Sequence, residues 1–212
     1  EECPSPLVSE ELRKKMAEAS VNLISAIGYE NAGTIEYLVD SDAKNFYFME
    51  MNTRIQVEHP VTEEVMGCEL IKEQIRVAAG EPLSKHVLNP TPRGHSIECR
   101  INAEDPYNNF CPSPGKIKLW YTPGGKGVRV DTHVYSGYTV PPYYDSMIAK
   151  LIVTASTREL AIRRMRRALS EFKIEGIKTT IPFQLEIFDH PDFIQGNYNI
   201  EWVSKYIDEK GY

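Results

Sequence analysis

The chain has 212 residues, of which 42% are hydrophobic and 25% are charged; these ordinary globular values exclude a disordered or collagen-like chain. The formal net charge of −6 argues against a general nucleic-acid-binding surface, so no nucleic-acid partner is expected. Because no run approaches the ~18 consecutive apolar residues of a membrane span, no membrane partner is expected either.

Two features of the chain bear on its cellular compartment. The four cysteines, Cys3, Cys68, Cys99 and Cys111, form no C-x-x-C pair and lack a histidine at zinc-finger spacing. This favours reduced thiols in a cytoplasmic protein over a disulfide or metal framework. The sequence opens at Glu1 without an initiator methionine or an apolar leader, so we expect no secretory signal, and the chain is compatible with a piece of a longer polypeptide.

A helix followed by a β-hairpin is predicted at the start of the chain. Ser9 has the character of a helix N-cap, and apolar residues then recur at helical spacing until Gly28 ends the run. Two runs of alternating residues, 33–40 and 46–51, follow on either side of a short polar stretch. That pattern is typical of a β-hairpin.

The predicted register of the hairpin opposes two carboxylates. If the residues between the two runs form the loop, Leu38 pairs with Phe48 and Glu36 pairs with Glu50, while Glu50 shares a strand face with Phe46 and Phe48. Opposed residues have Cβ atoms ~4.5–5.5 Å apart, where two like charges destabilise the hairpin unless something compensates them. A divalent cation would compensate, and oxygen ligands suit Mg²⁺ or Mn²⁺. The alternative is a solvated edge with a slipped register, in which the opposition is accidental.

Polar residues continue at every second position after the hairpin. They are Glu50, Asn52, Arg54, Gln56 and Glu58, with smaller or apolar residues between them. If the segment stays extended, these side chains project to one side and offer carboxylate oxygens, amides and a guanidinium fork suited to planar oxyanions. An ordinary amphipathic edge strand also alternates and is the alternative, although an anion-plus-metal site needs this mixture of charges and a plain solvent face does not.

A second helix and a change of character come next. Thr62 can open a helix whose apolar positions continue to Gly80. Between 81 and 93 three prolines interrupt the chain. We therefore place a boundary in this stretch, with one domain at 1–90 and a second at 91–212.

The second half is predicted as strands followed by helices. The strand-like segments are 95–103, 116–122, 128–135 and 146–154, and the helices are a long amphipathic one from Thr157 and two short ones near 182–188 and 200–207. Together with the first half, this indicates a mixed α and β fold in two parts.

Two motifs of the second half have an ordinary interpretation and a functional one. The stretch Gly124–Gly127 follows a proline and precedes a strand, which favours a tight turn over a phosphate-binding loop. The long helix carries a basic face, and a solvated face with acidic neighbours is favoured there over a partner-binding surface; its members are Arg163, Arg164, Arg166 and Arg167.

Several segments of the sequence resemble those of a known family. The segment Glu50-Met-Asn-Thr-Arg-Ile-Gln-Val-Glu-His-Pro-Val-Thr-Glu63 resembles the signature of biotin carboxylase, the ATP-grasp component of biotin-dependent carboxylases. The resemblance continues through 33–36, 98–105, 112–117 and 141–150 and covers nearly the whole chain. It implies an α+β fold in which the C-terminal part of an ATP-grasp domain is followed by a biotin carboxylase C-terminal domain.

The resemblance implies a nucleotide and metal site on the hairpin. Glu36 and Glu50 match the family's ligands to the Mg²⁺ or Mn²⁺ ions, two of them, that bridge the phosphates of ATP, and Asn52 assists. Leu38 matches an apolar contact to the adenine ring.

The resemblance also implies roles in the chemistry. Arg54 matches the catalytic arginine, which holds bicarbonate together with Gln56 and the Val57 backbone N–H, and Glu58 matches the general base. Arg100 matches the arginine that stabilises the enolate of biotin, the carboxyl acceptor. In such enzymes bicarbonate attacks the γ-phosphate of ATP to form carboxyphosphate, which then carboxylates biotin.

Parts of the complete family pattern lie outside this sequence. The glycine-rich phosphate loop, the ATP-binding lysines and the N-terminal nucleotide-like domain all precede the matched region in the family. The chain therefore resembles the C-terminal half of the enzyme, and this piece is expected to be inactive without the N-terminal half.

The implied partners are a biotin carboxyl carrier protein, a carboxyltransferase subunit or domain, and a second copy in a homodimer with contacts near Lys126, Arg129 and Asp145. The parent is expected to be an acetyl-CoA carboxylase of fatty acid biosynthesis, with pyruvate or another acyl-CoA carboxylase as alternatives. A carbamoyl-phosphate-synthase-like ATP-grasp ligase and a non-catalytic dimerisation or assembly module are competing hypotheses.

Overall fold

The computed structural model describes residues 1–88 and 90–211. The chain divides into two compact units, one formed by residues 2–93 and the other by residue 1 together with the residues from 94 onward. None of the helices in the described ranges is both long enough and apolar enough to cross a bilayer. The division into domains after residue 90 stays a prediction.

The first unit consists of a short strand, a long helix, a hairpin and three further helices among its described residues. In chain order the elements are β1 (Glu2–Cys3), α1 (Glu10–Ala26), β2 (Thr34–Val39), β3 (Phe46–Asn52), α2 (His59–Met66), α3 (Leu70–Ala78) and α4 (Lys85–Leu88).

The predicted first helix is confirmed as α1. The Ser9 hydroxyl accepts a hydrogen bond from the Leu12 N–H at 3.1 Å and so satisfies one of the unpaired donors of the first turn. Glu10 and Glu11 add negative charge at the positive end of the helix dipole. The helix ends one residue before Ile27, and Gly28 follows with φ +63°.

The hairpin is confirmed, and Glu36 does oppose Glu50. The predicted pairing of Leu38 with Phe48 is wrong, because the register shifts after Glu36: Leu38 pairs with Tyr47 and Tyr37 pairs with Phe48. The extra residue on β3 forms a β-bulge, which no local signal in the sequence predicts.

The bulge also changes which side chains share a face. The ring of Tyr37 packs edge-on against Phe46 at 5.2 Å and Phe48 at 6.4 Å between centroids. Tyr37 follows Glu36 directly, so the aromatic rings lie on the face opposite to the carboxylates. The prediction that Glu50 shares a face with Phe46 and Phe48 is therefore wrong.

The single helix predicted from Thr62 to Gly80 is in fact two helices, α2 and α3. Gly67 takes the left-handed conformation with φ +64° and ends α2. The side chain of Glu63 then accepts a hydrogen bond from the Leu70 N–H at 2.7 Å and so satisfies a donor at the start of α3. The first helix of the pair also begins earlier than expected, at His59.

The second unit consists of a three-stranded sheet, several two-stranded ribbons and helices. In chain order the elements are β4 (His95–Asn102), β5 (Glu104–Asp105), β6 (Cys111–Pro112), β7 (Gly115–Lys116), β8 (Leu119–Tyr121), β9 (Val128–Thr132), β10 (Thr139–Val140), β11 (Met147–Ala155), α5 (Arg158–Glu171), β12 (Lys173–Glu175), α6 (Ile181–Asp189), α7 (Pro191–Gln195) and α8 (Trp202–Lys210).

The core of the second unit lies between this sheet and α5. Strand β11 is central and pairs antiparallel with β4 on one side and β9 on the other, so that Leu151 pairs with both Cys99 and Val130. One face of the sheet joins α5 in a single buried cluster that includes Ile97, Ile101, Leu151, Val153, Ala161, Met165 and Leu169. Each of the larger side chains in this cluster contributes about 1.5–3 kcal/mol by leaving water, and the small Ala161 contributes less.

The other face of β4 is polar. Ser96, Glu98 and Arg100 alternate with the core residues, and Lys150 of β11 pairs with Arg100. Ser96 and Glu98 are nonetheless fully buried. Arg100, in contrast, is exposed.

The long helix α5 begins as predicted, with the Thr157 hydroxyl accepting from the Leu160 N–H at 3.3 Å. Leu160 itself lies on the outer side of α5 and is 37% exposed. Arginines on the basic face of α5 form ion pairs within the unit: Arg167 pairs with Glu171 at 2.8 Å, and Arg166 pairs with Asp189. This agrees with the interpretation as a solvated face.

The predicted strand 116–122 is broken into β7 and β8. Its middle residues bond to different partners: the Ile117 N–H donates to Tyr138 O at 2.9 Å, and the Lys118 N–H donates to Glu175 O at 2.7 Å. Strand β7 therefore pairs with β10 while β8 pairs with β12. Partners this distant in the chain leave no signature in a local pattern.

The stretch Gly124–Gly127 forms the predicted tight turn. The Val128 N–H donates to Gly125 O at 3.2 Å, and the Thr154 N–H of the central strand donates to Gly127 O at 2.9 Å. Gly127 has φ +74°, and a Cβ there would overlap the Thr154 carbonyl oxygen.

Substituting Gly127 by alanine is expected to destabilise the protein by about 2 kcal/mol or more, because it adds left-handed strain and a clash with backbone. Gly124→Ala is the matched control, since a Cβ at Gly124 meets open space. Urea unfolding of the two variants measures the difference, and equal stabilities would contradict this account of the turn.

Candidate functional site

The hairpin and the segment after it bring four of the predicted site residues into one hydrogen-bonded cluster. Asn52 Nδ2 donates to Glu36 Oε1 at 2.8 Å and to Glu50 Oε1 at 3.0 Å. Gln56 Nε2 donates to the same Glu36 oxygen at 2.6 Å. Two amides thus offset part of the repulsion between the opposed carboxylates.

The expected extended run from Glu50 to Glu58 is interrupted. Strand β3 ends at Asn52, a bend follows, and residues 57–58 form a turn before α2. Gln56 nevertheless reaches Glu36 because the bend turns the chain back toward β2. The strict alternation of side chains therefore stops at Asn52, while the polar residues beyond it still converge.

Arg54 and Leu38 are exposed. Arg54 Nη1 donates to the carbonyl oxygen of Ile55 at 3.2 Å, which orients the guanidinium without burying it. Leu38 is 49% exposed and follows Glu36 by two positions on the same strand, so both project from one face of β2. An exposed apolar side chain beside paired carboxylates is compatible with a ring contact next to a phosphate and metal site.

The turn that follows is closed by one carbonyl oxygen. The His59 N–H donates to Gln56 O at 3.3 Å and encloses Val57 and Glu58 in the turn. Glu58 is the N-cap residue of α2 with φ −80° and ψ 6°, and its side chain makes no cap hydrogen bond to the helix.

The donor set at the hairpin fits a phosphate-bridging cation. Across residues 1–88 and 90–211, no group of three or more His, Cys, Asp or Glu side chains is arranged to hold a metal ion. The hairpin offers two carboxylates and an amide, and Mg²⁺ is usually held by one or two carboxylates together with water and substrate phosphates. Asn52 directs its NH₂ at both carboxylates, so coordination through its oxygen would need the amide to turn over.

Arg100 belongs to the second unit, where its backbone is held firmly. Its carbonyl oxygen accepts hydrogen bonds from Gln184 Nε2 at 2.7 Å and Thr180 Oγ1 at 3.3 Å, which tie β4 to the start of α6. Its guanidinium is partly exposed and pairs with Glu1 at 2.9 Å. The cationic group is thus accessible on a fixed strand.

Sequence reasoning assigned no role to Glu98, which lies two residues before Arg100 on the same face of β4. Its side chain is 1% exposed, and neither carboxylate oxygen has a hydrogen-bond partner among the described residues. Burial, and next the charge of Glu1, raise the pKa of Glu98 to about 7, although Lys150 and Arg100 act in the opposite direction. The sequence did carry one indication of this residue, because the alternation of Ser96, Glu98 and Arg100 marks a polar face of the strand.

The raised pKa of Glu98 predicts a pH-dependent stability. A carboxyl that binds its proton more tightly in the folded state stabilises the fold below its ordinary pKa of 4.5, and this contribution is lost as the pH rises through about 7. Glu98→Gln should therefore unfold at a higher temperature than the unchanged protein at pH 8, and the difference should be much smaller at pH 5.

Thermal unfolding at the two pH values tests this expectation. Glu209→Gln, at an exposed carboxylate of α8, is the control and should change neither value. A Glu98→Gln protein less stable than the unchanged protein at pH 8 would show that the ionised carboxylate is stabilised in the fold.

Two family descriptions match the chain. The biotin carboxylase C-terminal domain matches residues 98–205, and the carbamoyl-phosphate synthase L chain ATP binding domain matches residues 1–86. Biotin carboxylase 1 of Bacillus subtilis is 56% identical over 206 residues, which are 97% of this chain and 46% of that protein. The biotin carboxylase of Haemophilus influenzae is 54% identical over 97% of this chain and 45% of its own length. The chain spans less than half the length of these relatives.

Solved structures agree with these matches. The biotin carboxylase subunit of pyruvate carboxylase has a TM-score of 0.95 and 45% identity, covering 100% of this chain and 47% of that one. The biotin carboxylase domain dimer of Hydrogenobacter thermophilus 2-oxoglutarate carboxylase, in complex with MgADP, ADP and bicarbonate, has a TM-score of 0.93 and 47% identity, covering 97% and 45%. The resemblance drawn from the motifs and the predicted fold class are both confirmed.

Proposed function

The chain belongs to the biotin carboxylase family, and on this basis we propose that it forms the carboxyl-terminal half of an ATP-dependent ligase that carboxylates biotin with bicarbonate. The observation that carries the proposal is the cluster in which Asn52 and Gln56 converge on the opposed carboxylates Glu36 and Glu50. The cluster gathers two carboxylates, which suit a cation, with two amides, and Arg54, two residues before Gln56, carries a guanidinium suited to an oxyanion.

The nucleotide side of the proposed site is the hairpin. Glu36 and Glu50 would hold two ions of Mg²⁺ or Mn²⁺, with Asn52 assisting and Leu38 against the adenine. Bound there, the metal would neutralise charge on the triphosphate and so lessen its repulsion of an anionic nucleophile. The short bonds from Asn52 and Gln56 keep the carboxylates oriented.

The bicarbonate side is the segment that follows. Arg54, the Gln56 amide and the Val57 N–H would bind bicarbonate, and Glu58 would take its proton as it attacks. The attacking oxygen forms a bond to the γ-phosphorus of ATP while the bond to the ADP oxygen breaks, which yields carboxyphosphate and ADP. Arg54, exposed and oriented by Ile55, would stabilise the charge that develops.

The second half of the reaction concerns biotin. The ureido nitrogen of biotin forms a bond to the carboxyl carbon of carboxyphosphate while the bond from that carbon to the phosphate oxygen breaks, and inorganic phosphate leaves with the proton of that nitrogen. Arg100 would stabilise the enolate form of the biotin ureido group. The accessible guanidinium on a strand fixed by Thr180 and Gln184 supports this role, because a fixed cation needs little reorganisation in the transition state.

The proposed partners rest on membership of the family. They are the amino-terminal half, a second copy in a homodimer, a carrier protein that bears the biotin, and a carboxyltransferase subunit or domain. We propose an acetyl-CoA carboxylase that acts in fatty acid biosynthesis in the cytoplasm as the parent. The similar structures from pyruvate carboxylase and 2-oxoglutarate carboxylase support pyruvate and 2-oxoglutarate as the alternative final acceptors of the carboxyl group.

Glu50→Gln tests the metal ligands in the complete enzyme. Removing one of two opposed charges should stabilise the hairpin by up to about 1 kcal/mol without metal. It should also abolish most of the added thermal stability that Mg²⁺ and ADP together confer. Glu30→Gln, at an exposed carboxylate of the same unit, is the control; an unchanged response of Glu50→Gln to Mg²⁺ and ADP would contradict the metal assignment.

Arg54→Ala separates catalysis from an assembly role. In the complete enzyme it should lower the rate of biotin carboxylation on the order of 10²-fold or more, because a guanidinium aimed at developing charge is lost. Arg163→Ala, at an exposed arginine of α5, should leave the rate unchanged. A near-normal rate for Arg54→Ala with intact dimers would favour the non-catalytic assembly module.

A further inference from the structure

The turn between β3 and α2 is held by one histidine through two hydrogen bonds to the same oxygen. The backbone N–H of His59 lies 3.3 Å from Gln56 O, and the ring nitrogen Nδ1 of His59 lies 2.9 Å from it. Because a carbonyl oxygen only accepts, Nδ1 must carry the hydrogen. The side chain therefore reinforces the bond that closes the turn around Val57 and Glu58.

The imidazole ring is enclosed on its other edge as well. Its Nε2 lies 3.9 Å from Oε1 of Glu63, and both side chains are largely buried, with 14% and 9% exposure. The same Glu63 oxygen accepts from the Leu70 N–H at 2.7 Å, which holds the carboxylate in place between α2 and α3. A ring with fixed neighbours at both nitrogens has little freedom to leave Gln56.

Gln56 is consequently held at both ends. Its carbonyl oxygen receives the two bonds from His59, and its side-chain amide donates to Glu36 Oε1 at 2.6 Å. Val57 and Glu58 lie between Gln56 and His59 in the chain. They are the residues assigned above to bicarbonate binding and proton abstraction. A shift of this turn would displace both groups together.

We propose that His59 is a positioning residue for the bicarbonate site, acting through its Nδ1–H bond to the Gln56 carbonyl. The proposal rests on the proposed function of the turn. It assigns His59 no contact with substrate and no proton transfer; its effect is to keep Gln56, Val57 and Glu58 in one geometry when bicarbonate binds.

A second possible role for His59 is simple packing at the start of α2, and two substitutions separate the roles. Asparagine places its Nδ2 near the position of the histidine Nδ1 and keeps the donor, while it loses most of the ring volume. Phenylalanine keeps the volume and loses the donor. Positioning predicts that His59→Asn is closer to the unchanged enzyme than His59→Phe, and packing predicts the reverse order.

The kinetic test uses the complete enzyme with free biotin and MgATP. His59→Phe should lower kcat/KM for bicarbonate by about fivefold to tenfold, the factor that corresponds to one lost hydrogen bond. The KM for biotin should stay within about twofold, since the change is confined to the bicarbonate turn. His59→Asn should restore most of the loss, and His86→Phe, at an exposed histidine of α4, should match the unchanged enzyme.

Hydrogen–deuterium exchange of residues 57–59 provides a readout that does not depend on activity. His59→Phe should increase exchange there, and His59→Asn should not. If the enzyme without substitutions is folded but does not carboxylate biotin, the proposed function is overturned. The exchange rates of the two variants would still decide whether His59 holds the turn. Equal exchange in all variants, or better kinetics for His59→Phe than for His59→Asn, would overturn the positioning role.

Discussion

Two carboxylates face each other across the β2–β3 hairpin, and the hydrogen bonds that offset their repulsion tie the segment after β3 to β2. Glu36 and Glu50 are kept together because Asn52 donates to both and Gln56 donates to Glu36. Gln56 can do so only because the chain bends back after Asn52 and is then held by His59. The irregular segment after β3 thus supplies one of the donors that offset the paired charges.

The second unit contains a comparable conflict between charge and folding. One face of its sheet packs against α5 as an apolar core, while β4 presents Ser96, Glu98 and Arg100 on the other face. Glu98 is buried without a hydrogen-bond partner among the described residues, and burial disfavours its charged form. Glu98 lies two residues before Arg100, and Glu36 and Glu50 are themselves proposed to act in the reaction, so both conflicts of charge lie at or beside proposed site residues, which is a common property of functional sites.

Features that depend on neighbouring residues in the sequence were mostly predicted correctly. Most of the errors lie where the structure depends on contacts between distant residues. The caps at Ser9 and Thr157 act within one helical turn, so sequence located both helix starts. The bulge in the hairpin and the divided strand 116–122 depend on hydrogen-bond partners elsewhere in the fold, and both were missed. The helix break at Gly67 carried a local signal, a lone glycine, which the continuing apolar pattern outweighed.

The candidate site shows the same division. Motif order and spacing identified the family and named Glu36, Glu50 and Arg54, because these residues lie on one hairpin and the few residues after it. Packing between distant segments determined which of the polar side chains lose water, and so it alone revealed Glu98, whose electrostatic environment includes Lys150 of another strand. Charge and hydrogen-bonding capacity are properties of residue types, whereas burial depends on which parts of the chain come together.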